Sequence, residues 1–226
     1  MINRLLEELK KYLPKAVAPI DPAQWEDSVA LKTEWDPLKG GGTNIRTHAL
    51  KRTDNDRCVF RPAAGYIAFC GFFLLIGLGI MVAFIIVIHR RDPGQFIPIL
   101  MGLLFAAVGG GMLAVGARPV VFDKETGTAW RGWREPRSDF EHGQERSGVF
   151  CRLDDIHAIQ IVSEYIRSNK NKSYTSYELN LVMADGKRLN VVDHGDVAQI
   201  RKDAAELGVY LEVPVWDATR IEARIR

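Results

Sequence analysis

The sequence has few cysteines and almost no excess of charge of either sign. Its 226 residues include three cysteines, 30 lysines and arginines, and 28 aspartates and glutamates, which gives a formal net charge of +2. Cys58, Cys70 and Cys151 lack the spacing of metal ligands and cannot all pair, so neither a disulfide scaffold nor a zinc site is indicated. The balanced charge excludes a strongly basic nucleic-acid-binding protein, and we expect no nucleic acid among the partners.

Recognisable catalytic motifs are also lacking. The histidines form no His-Glu-x-x-His group, and Gly40-Gly41-Gly42 is not followed by the Gly-Lys-Ser/Thr of a phosphate-binding loop. Asp193-His194-Gly195-Asp196 lies between a predicted strand and a predicted helix, a position that favours a turn and a helix N-cap over a reactive group. We therefore predict a protein that is not an enzyme and that holds no cofactor and no metal.

What the sequence does have is two long runs without charge. Residues 63–88 and 96–117 contain no Asp, Glu, Lys or Arg. At 1.5 Å per residue in a helix, each run is long enough to cross a hydrocarbon core of about 30 Å. Only residues 89–95 join the two runs, so the sequence predicts a transmembrane helical hairpin.

The distribution of positive charge predicts the orientation of this hairpin. Positive residues precede the first run and follow the second: Arg46, Lys51, Arg52, Arg57, Arg61, Arg118, Lys124, Arg131 and Arg134. The connecting segment carries only Arg90 and Arg91. By the positive-inside rule we predict a multi-pass protein of the bacterial inner membrane, surrounded by membrane lipid, with both termini cytoplasmic.

Small residues recur every four positions in the second run, at Gly102, Ala106, Gly110 and Ala114. This spacing places them on one face of a helix, where another backbone can approach closely. The interpretation that we favour is packing inside the hairpin against Gly79 and Ala83. A homo-oligomer interface is the alternative.

After the second run the pattern changes to short strands followed by one helix. Lys124-Glu125-Thr126-Gly127 and Ala184-Asp185-Gly186-Lys187 are typical of hairpin turns. From Asp196, a natural N-cap, the apolar period becomes that of an amphipathic helix ending near Gly208. For residues 118–217 we predict a pleckstrin-homology-like antiparallel β domain closed by this helix, with a split sheet as the alternative. The predicted fold class is an α+β membrane protein.

Two further regions lie before the helical hairpin and after the β domain. Residues 1–62 are predicted to form an N-terminal cytoplasmic region, with an amphipathic helix over residues 1–13 and a short hairpin from Ile45 to Phe60. Residues 218–226 are predicted to form a C-terminal tail.

The most informative polar cluster is Trp130, Arg131, Trp133 and Arg134. If the strand before it leaves the membrane and the next strand returns, Trp133 and Arg134 lie at the depth of the lipid headgroups. Tryptophan and arginine both favour that boundary. We therefore predict a membrane-interface or partner-binding segment here, with at least one of the tryptophans buried in the domain by strand alternation.

Several motifs together resemble one known family. The two apolar runs are followed by Phe122-Asp123-Lys124-Glu125-Thr126-Gly127, by Leu153-Asp154-Asp155-Ile156-His157-Ala158-Ile159-Gln160-Ile161, and by Ala204-Ala205-Glu206-Leu207 with Leu211-Glu212-Val213-Pro214-Val215. In order and spacing, residues 65–217 resemble the photosystem I assembly protein family of thylakoid membranes. The resemblance implies a non-catalytic membrane scaffold with a pleckstrin-homology-like soluble part. The longer region before Gly65 departs from that pattern, so we expect a distant bacterial relative.

These observations predict an inner-membrane scaffold or assembly factor that binds a protein client, not identified by the sequence, through its cytoplasmic domain. The alternative is a regulatory or immunity-type membrane protein that recognises a specific partner or a lipid headgroup through the same domain.

Overall fold

The computed structural model describes residues 20–90, 97–136, 149–167 and 173–219. The predicted N-terminal helix and most of the predicted tail and of the segment between the apolar runs lie outside the described residues.

Helices and strands together give the α+β class that the sequence predicts. The described residues contain three α-helices, α1 (Ala64–Arg90), α2 (Ile97–Gly111) and α3 (Val197–Leu211), and α2 continues into a π-helical turn, Met112–Gly116. The strands are β1 (His48–Arg52), β2 (Arg57–Pro62), β3 (Val120–Asp123), β4 (Thr128–Arg131), β5 (Phe150–Arg152), β6 (Ile156–Arg167), β7 (Ser173–Met183), β8 (Arg188–His194) and β9 (Val215–Asp217).

The two apolar runs form long helices packed side by side. Ala64–Ile86 and Ile97–Gly116 are each long and apolar enough to cross a membrane, and most of their side chains face outward rather than into the protein. Pro98 lies in the first turn of α2, where a missing N–H removes no helical hydrogen bond. The helical hairpin predicted from the sequence is therefore present, and it has an apolar outer surface.

The first sheet joins parts of the chain that we expected to be separate. Its strand order is β1-β2-β3-β4-β5, with neighbours antiparallel. Strand β2 precedes the helices and β3 follows them, yet they pair directly, with Phe60 opposite Val120. This corrects the boundary between residues 1–62 and 118–217: the β1-β2 hairpin belongs to the sheet domain, because an isolated two-stranded hairpin is marginally stable and gains a third strand here.

The second sheet has the order β8-β7-β6-β9. β6 pairs antiparallel with β7 and parallel with β9. Both of its faces carry apolar residues because both are covered: Ile159 and Ile161 pack in the main core, and Ala158 packs on the opposite side with Trp216. The two sheets and α3 enclose one core, whose largest fully buried side chains include Phe60, Phe122 and Leu207. Arg131 links the sheets by donating hydrogen bonds from β4 to the carbonyl oxygens of Asn190 (3.3 Å) and Val191 (2.5 Å) in β8.

Helix α3 begins at the predicted cap but ends later than predicted. The Asp196 carboxylate accepts hydrogen bonds from the N–H groups of Ala198 and Gln199. We expected the helix to end near Gly208, but it continues to Leu211, and Glu212 takes the left-handed conformation (φ 61°). The glycine at 208 serves packing instead, because a Cβ there would lie 2.7 Å from Val215 Cγ2.

A segment without long secondary structure covers the outer face of the second sheet. We call residues 20–47 the strap. Trp25 and Trp35 of the strap stack with ring centroids 4.1 Å apart, and both pack on Trp216 of β9. The Thr33 hydroxyl donates a hydrogen bond to the carbonyl of Gly186 in the β7-β8 turn (2.8 Å). The strap is therefore fastened to the sheet at the β9 side and at the β7-β8 turn.

Candidate functional site

The helix-packing residues predicted from the sequence divide between two faces of the hairpin. Gly102 lies in the contact, since a Cβ on it would be 2.7 Å from the carbonyl oxygen of Gly77. Ala106 is also at the contact, because a Cβ on Gly77 would lie 2.9 Å from its Cα. Gly109 completes the row, with a hypothetical Cβ 2.5 Å from the backbone nitrogen of Leu74. The close approach of the backbones therefore follows glycines spaced by seven residues.

The remaining predicted packing residues do not make this contact. Gly79 has open space around a hypothetical Cβ, and Ala83 and Ala114 are exposed. A Cβ on Gly110 would reach only Leu74 Cδ1, at an ordinary 3.8 Å. This corrects the predicted stripe, because a spacing of four drifts off the interhelical seam whereas a spacing of seven stays on it. The homo-oligomer alternative stays a prediction.

The four residues of the predicted interface segment have different environments. Trp130 is 5% exposed and packs with Val59 and Val121, whereas Trp133 is 68% exposed. Arg131 is half-buried where it reaches β8, and burial lowers the pKa of its guanidinium. Arg134 is exposed. Trp130 is thus buried with Val59 and Val121 on the face of the first sheet opposite the main core, whereas Trp133 and Arg134, which follow the end of β4, lie at the surface.

Trp130 lies on the floor of a groove at the junction of the sheet domain and the helices. The groove has a volume of about 400 Å³. Its floor is formed by one row across the outer face of the first sheet, Val59, Val121 and Trp130, which the strand register places side by side. Its walls come from the residues at which strands join helices, Pro62, Pro119 and Ile67. An apolar floor next to the first turn of α1 places the site where the first sheet meets the helices.

The rim of the groove is aromatic and positively charged. Trp133, Arg57 and Arg61 line it, and no carboxylate is among the lining residues. Arg57 donates a short hydrogen bond to the buried Asp123. Burial alone would raise the pKa of Asp123, but Arg57 and the N–H groups of Glu125 and Thr126 lower it. Arg61 makes no ion pair with any side chain in the described ranges, so its charge is available at the rim.

The Trp130 indole also has an unused hydrogen-bond donor. Its Nε1 is buried and has no partner among the residues that the structure describes. A buried N–H without an acceptor costs about 1–3 kcal/mol, and most such groups in folded proteins are paired. A residue that lines the groove therefore carries a buried donor without an acceptor among the described residues.

A second polar site, which the sequence analysis did not identify, holds the strap. Two carboxylates on the outer face of the second sheet each accept hydrogen bonds from two consecutive backbone N–H groups. Glu178, fully buried, binds Leu38 and Lys39, both at 2.8 Å. Glu164 binds Gly41 and Gly42, both at 3.0 Å. The strap is thus bound at these points through its main chain, and these hydrogen bonds do not depend on the side chains of the strap.

Neighbouring side chains complete this arrangement. Gln160 donates to the carbonyl oxygen of Glu34 (2.9 Å), and Ser176 donates to that of Thr43 (2.9 Å). A Cβ on Gly42 would lie 2.7 Å from Cβ of Ser176, so only glycine fits there. In the sequence, polar residues at alternate positions of β7 are typical of a solvent-facing strand, and the cluster of Trp25 and Trp35 was the one available signal that something covers it.

The Asp193 to Asp196 segment has the structural role that we expected. The N–H of Asp196 donates to His194 Nδ1 (3.0 Å), and the Asp196 side chain caps α3. Burial, with the nearby charge of Arg46, lowers the pKa of His194 to about 4. Burial also lowers the pKa of His48 to about 4, and its Nε2 lies 3.1 Å from the carbonyl oxygen of Arg118. Both imidazoles are therefore neutral parts of the packed domain at pH 7.

Metal ligands do not cluster in the part of the chain that the structure describes: no three His, Cys, Asp or Glu side chains there are placed to hold an ion. Comparisons with known proteins give no family, since no protein-family model matches the sequence and no curated protein matches it. The resemblance to the photosystem I assembly proteins therefore stays a prediction.

Proposed function

We propose that this protein is a non-catalytic scaffold or assembly factor of the bacterial inner membrane, which binds a protein client through its sheet domain. The observation that carries the proposal is the direct connection between sheet and helices. β2 ends at Pro62 and α1 begins at Ala64, while the π-helical turn ends at Gly116 and β3 begins at Val120. Because β2 and β3 are paired neighbours, two short connections fix the domain relative to the helical hairpin.

A fixed orientation suits a scaffold, because a client held by the domain is also held at a defined position relative to the bilayer. The two helices supply the anchor by their length and apolar surface. The two facing sheets, bridged by Arg131 and covered by α3, support a pleckstrin-homology-like interpretation of the domain. The strap already occupies one face of the second sheet, so we assign client binding to the rest of the domain surface.

The proposed orientation, with both termini cytoplasmic, is tested by thiol labelling in a variant whose native cysteines are replaced by alanine. We expect Gln95→Cys to react with a membrane-impermeant maleimide in intact cells, because the positive-inside rule places residues 89–95 in the periplasm. Asp185→Cys, in the exposed β7-β8 turn, should react only after lysis. The opposite labelling pattern would show that the orientation is reversed.

Client binding is tested by exchanging the helices. Residues 63–117 are replaced by an unrelated two-helix anchor, and the tagged protein is cross-linked in cells and purified in mild detergent. We expect the same stoichiometric client with the parent and the exchanged protein, since specificity resides in the domain.

A control tests whether the domain itself folds without the helices. Since Phe60 lies opposite Val120 in paired strands, Asn-Gly in place of residues 63–117 closes β2 and β3 as a two-residue hairpin. If this short protein is folded and the helix exchange abolishes client capture, recognition lies in the membrane and the proposal fails. Absence of any stoichiometric client from the parent would also reject it.

A further inference from the structure

The groove at the junction combines three features that together match one kind of ligand. Its floor is apolar. Within the described residues, Arg61 at its rim has no ion-pair partner and the buried Trp130 Nε1 has no acceptor. A volume of about 400 Å³ is within the range of small-molecule sites. A ligand that satisfies all three features needs an apolar part, an anionic part and an oxygen acceptor.

The position of the groove indicates which kind of ligand can reach it. Ile67, in the first turn of α1, forms part of the wall, and both Ile67 and Trp133 are substantially exposed. If α1 crosses the membrane as proposed, its first turn lies where lipid headgroups meet acyl chains. The groove is then continuous with the lipid-facing surface of α1, and a lipid can enter from the side without leaving its leaflet.

We propose that the groove binds the phosphate and glycerol region of an anionic membrane phospholipid. The phosphate lies against Arg61, the Trp130 indole N–H donates to a phosphate or ester oxygen, and the start of an acyl chain packs between Ile67 and Trp133. Arg57 contributes less to lipid binding because Asp123 already binds its guanidinium. This inference rests on the proposed membrane location, and it adds a lipid that fixes the domain against the bilayer surface.

The test uses the full-length protein in detergent, offered equimolar phosphatidylglycerol and phosphatidylcholine with identical acyl chains. Bound lipid is measured by native mass spectrometry. We expect the parent to retain phosphatidylglycerol preferentially, and Arg61→Gln to lose about tenfold in that preference, as for removal of one charge-assisted hydrogen bond. Trp130→Phe, which keeps an aromatic six-membered ring but removes the five-membered ring with its N–H, should reduce retention by a smaller factor.

Lys51→Gln is the matched control. Lys51 is exposed on the same outer sheet face, opposite Val59 in the register, but does not line the groove. The Lys51→Gln variant should leave the lipid preference unchanged. Equal losses in the Arg61 and Lys51 variants, or equal retention of both lipids by the parent, would overturn the proposal. Displacement of phosphatidylglycerol by millimolar glycerol 3-phosphate would overturn the lipid as occupant, since a free phosphate would then suffice.

This inference and the proposed function fail in different ways. If alkaline carbonate releases the protein from membranes, the membrane location is wrong and both fail. If the protein resists extraction and captures its client but shows no preference for phosphatidylglycerol, only the lipid site is rejected.

Discussion

Glu178→Ala is expected to destabilise the domain by about 3 kcal/mol, because it leaves two part-buried main-chain N–H groups and the buried Asn180 amide without their acceptor. The carboxylate is fully buried and accepts the N–H groups of Leu38 and Lys39, as well as the side-chain amide of Asn180 (3.2 Å). Replacing a whole buried polar network by apolar groups can be neutral, but here only one partner is removed and the others remain. The vacated position lies beneath the strap, so water replaces the carboxylate less readily there than at an exposed site.

The matched control is Glu164→Ala, which removes the same kind of carboxylate acceptor at a more exposed position. Glu164 also accepts two consecutive N–H groups, but it is only half-buried and the N–H of Gly41 lies at the surface. Water can replace the carboxylate there, so we expect a loss below about 1 kcal/mol. Denaturant unfolding in detergent, followed by the fluorescence of the Trp25, Trp35 and Trp216 cluster, measures both variants. Equal losses would show that burial of Glu178 does not govern how the strap is held.

The parts of the fold that could be predicted are those fixed by neighbouring residues. Asp185-Gly186 predicts its hairpin because the turn needs a residue with positive φ, and Gly186 has φ 87°. Asp196 predicts the start of α3 because a short carboxylate satisfies the first helical N–H groups. The two apolar helices follow from length and the absence of charge. Each of these signals is contained in a few consecutive residues.

The parts that could not be predicted depend on which segments meet. The pairing of β2 with β3 brings together residues on either side of the helical hairpin, and no local pattern distinguishes it from a separate hairpin. Glu178 has the alternation of a solvent-facing residue, and only the strap, more than a hundred residues earlier, makes it buried. Burial of a polar residue is decided by the covering segment and not by the strand that carries it.

In the candidate site, too, some features follow from neighbouring residues and others depend on which distant segments meet. The sequence predicts that at least one of Trp130 and Trp133 is buried by strand alternation, and Trp130 is buried while Trp133 is exposed. Trp130 nevertheless lies on the outer face of the first sheet and not in the main core, and Trp133 follows the end of β4, so the strand period does not account for the difference. Arg131 was expected at the membrane or a partner, but it joins the two sheets through carbonyl oxygens of β8. Arg61 was counted only as a flanking positive charge. Its place at the groove rim follows from β2 entering the first sheet, which the sequence did not show.

Gly109→Ala is expected to destabilise the helical hairpin by about 2 kcal/mol, because the added methyl group meets the main chain of the facing helix. A Cβ at this position would lie 2.5 Å from the nitrogen, and 3.0 Å from the Cα, of Leu74, and 2.7 Å from the carbonyl oxygen of Cys70. Backbone atoms in a helix cannot rotate away as a side chain can. The two helices must therefore separate or shift along each other to accommodate the methyl group.

The adjacent glycine provides a control with the same substitution in the same turn. A Cβ on Gly110 would meet only Leu74 Cδ1 at 3.8 Å, so Gly110→Ala should be neutral or stabilising by up to about 1 kcal/mol, through the higher helix propensity of alanine. Gly77→Ala and Gly79→Ala form a second pair on α1, in which only Gly77 faces the backbone of the other helix. Unfolding midpoints in dodecyl sulfate titrations should fall for the variants at 109 and 77 and stay level or rise at 110 and 79. If the midpoint falls at 110 and 79 instead, the helices pack through the stripe spaced by four, and the seam assigned to Gly77, Gly102 and Gly109 is wrong.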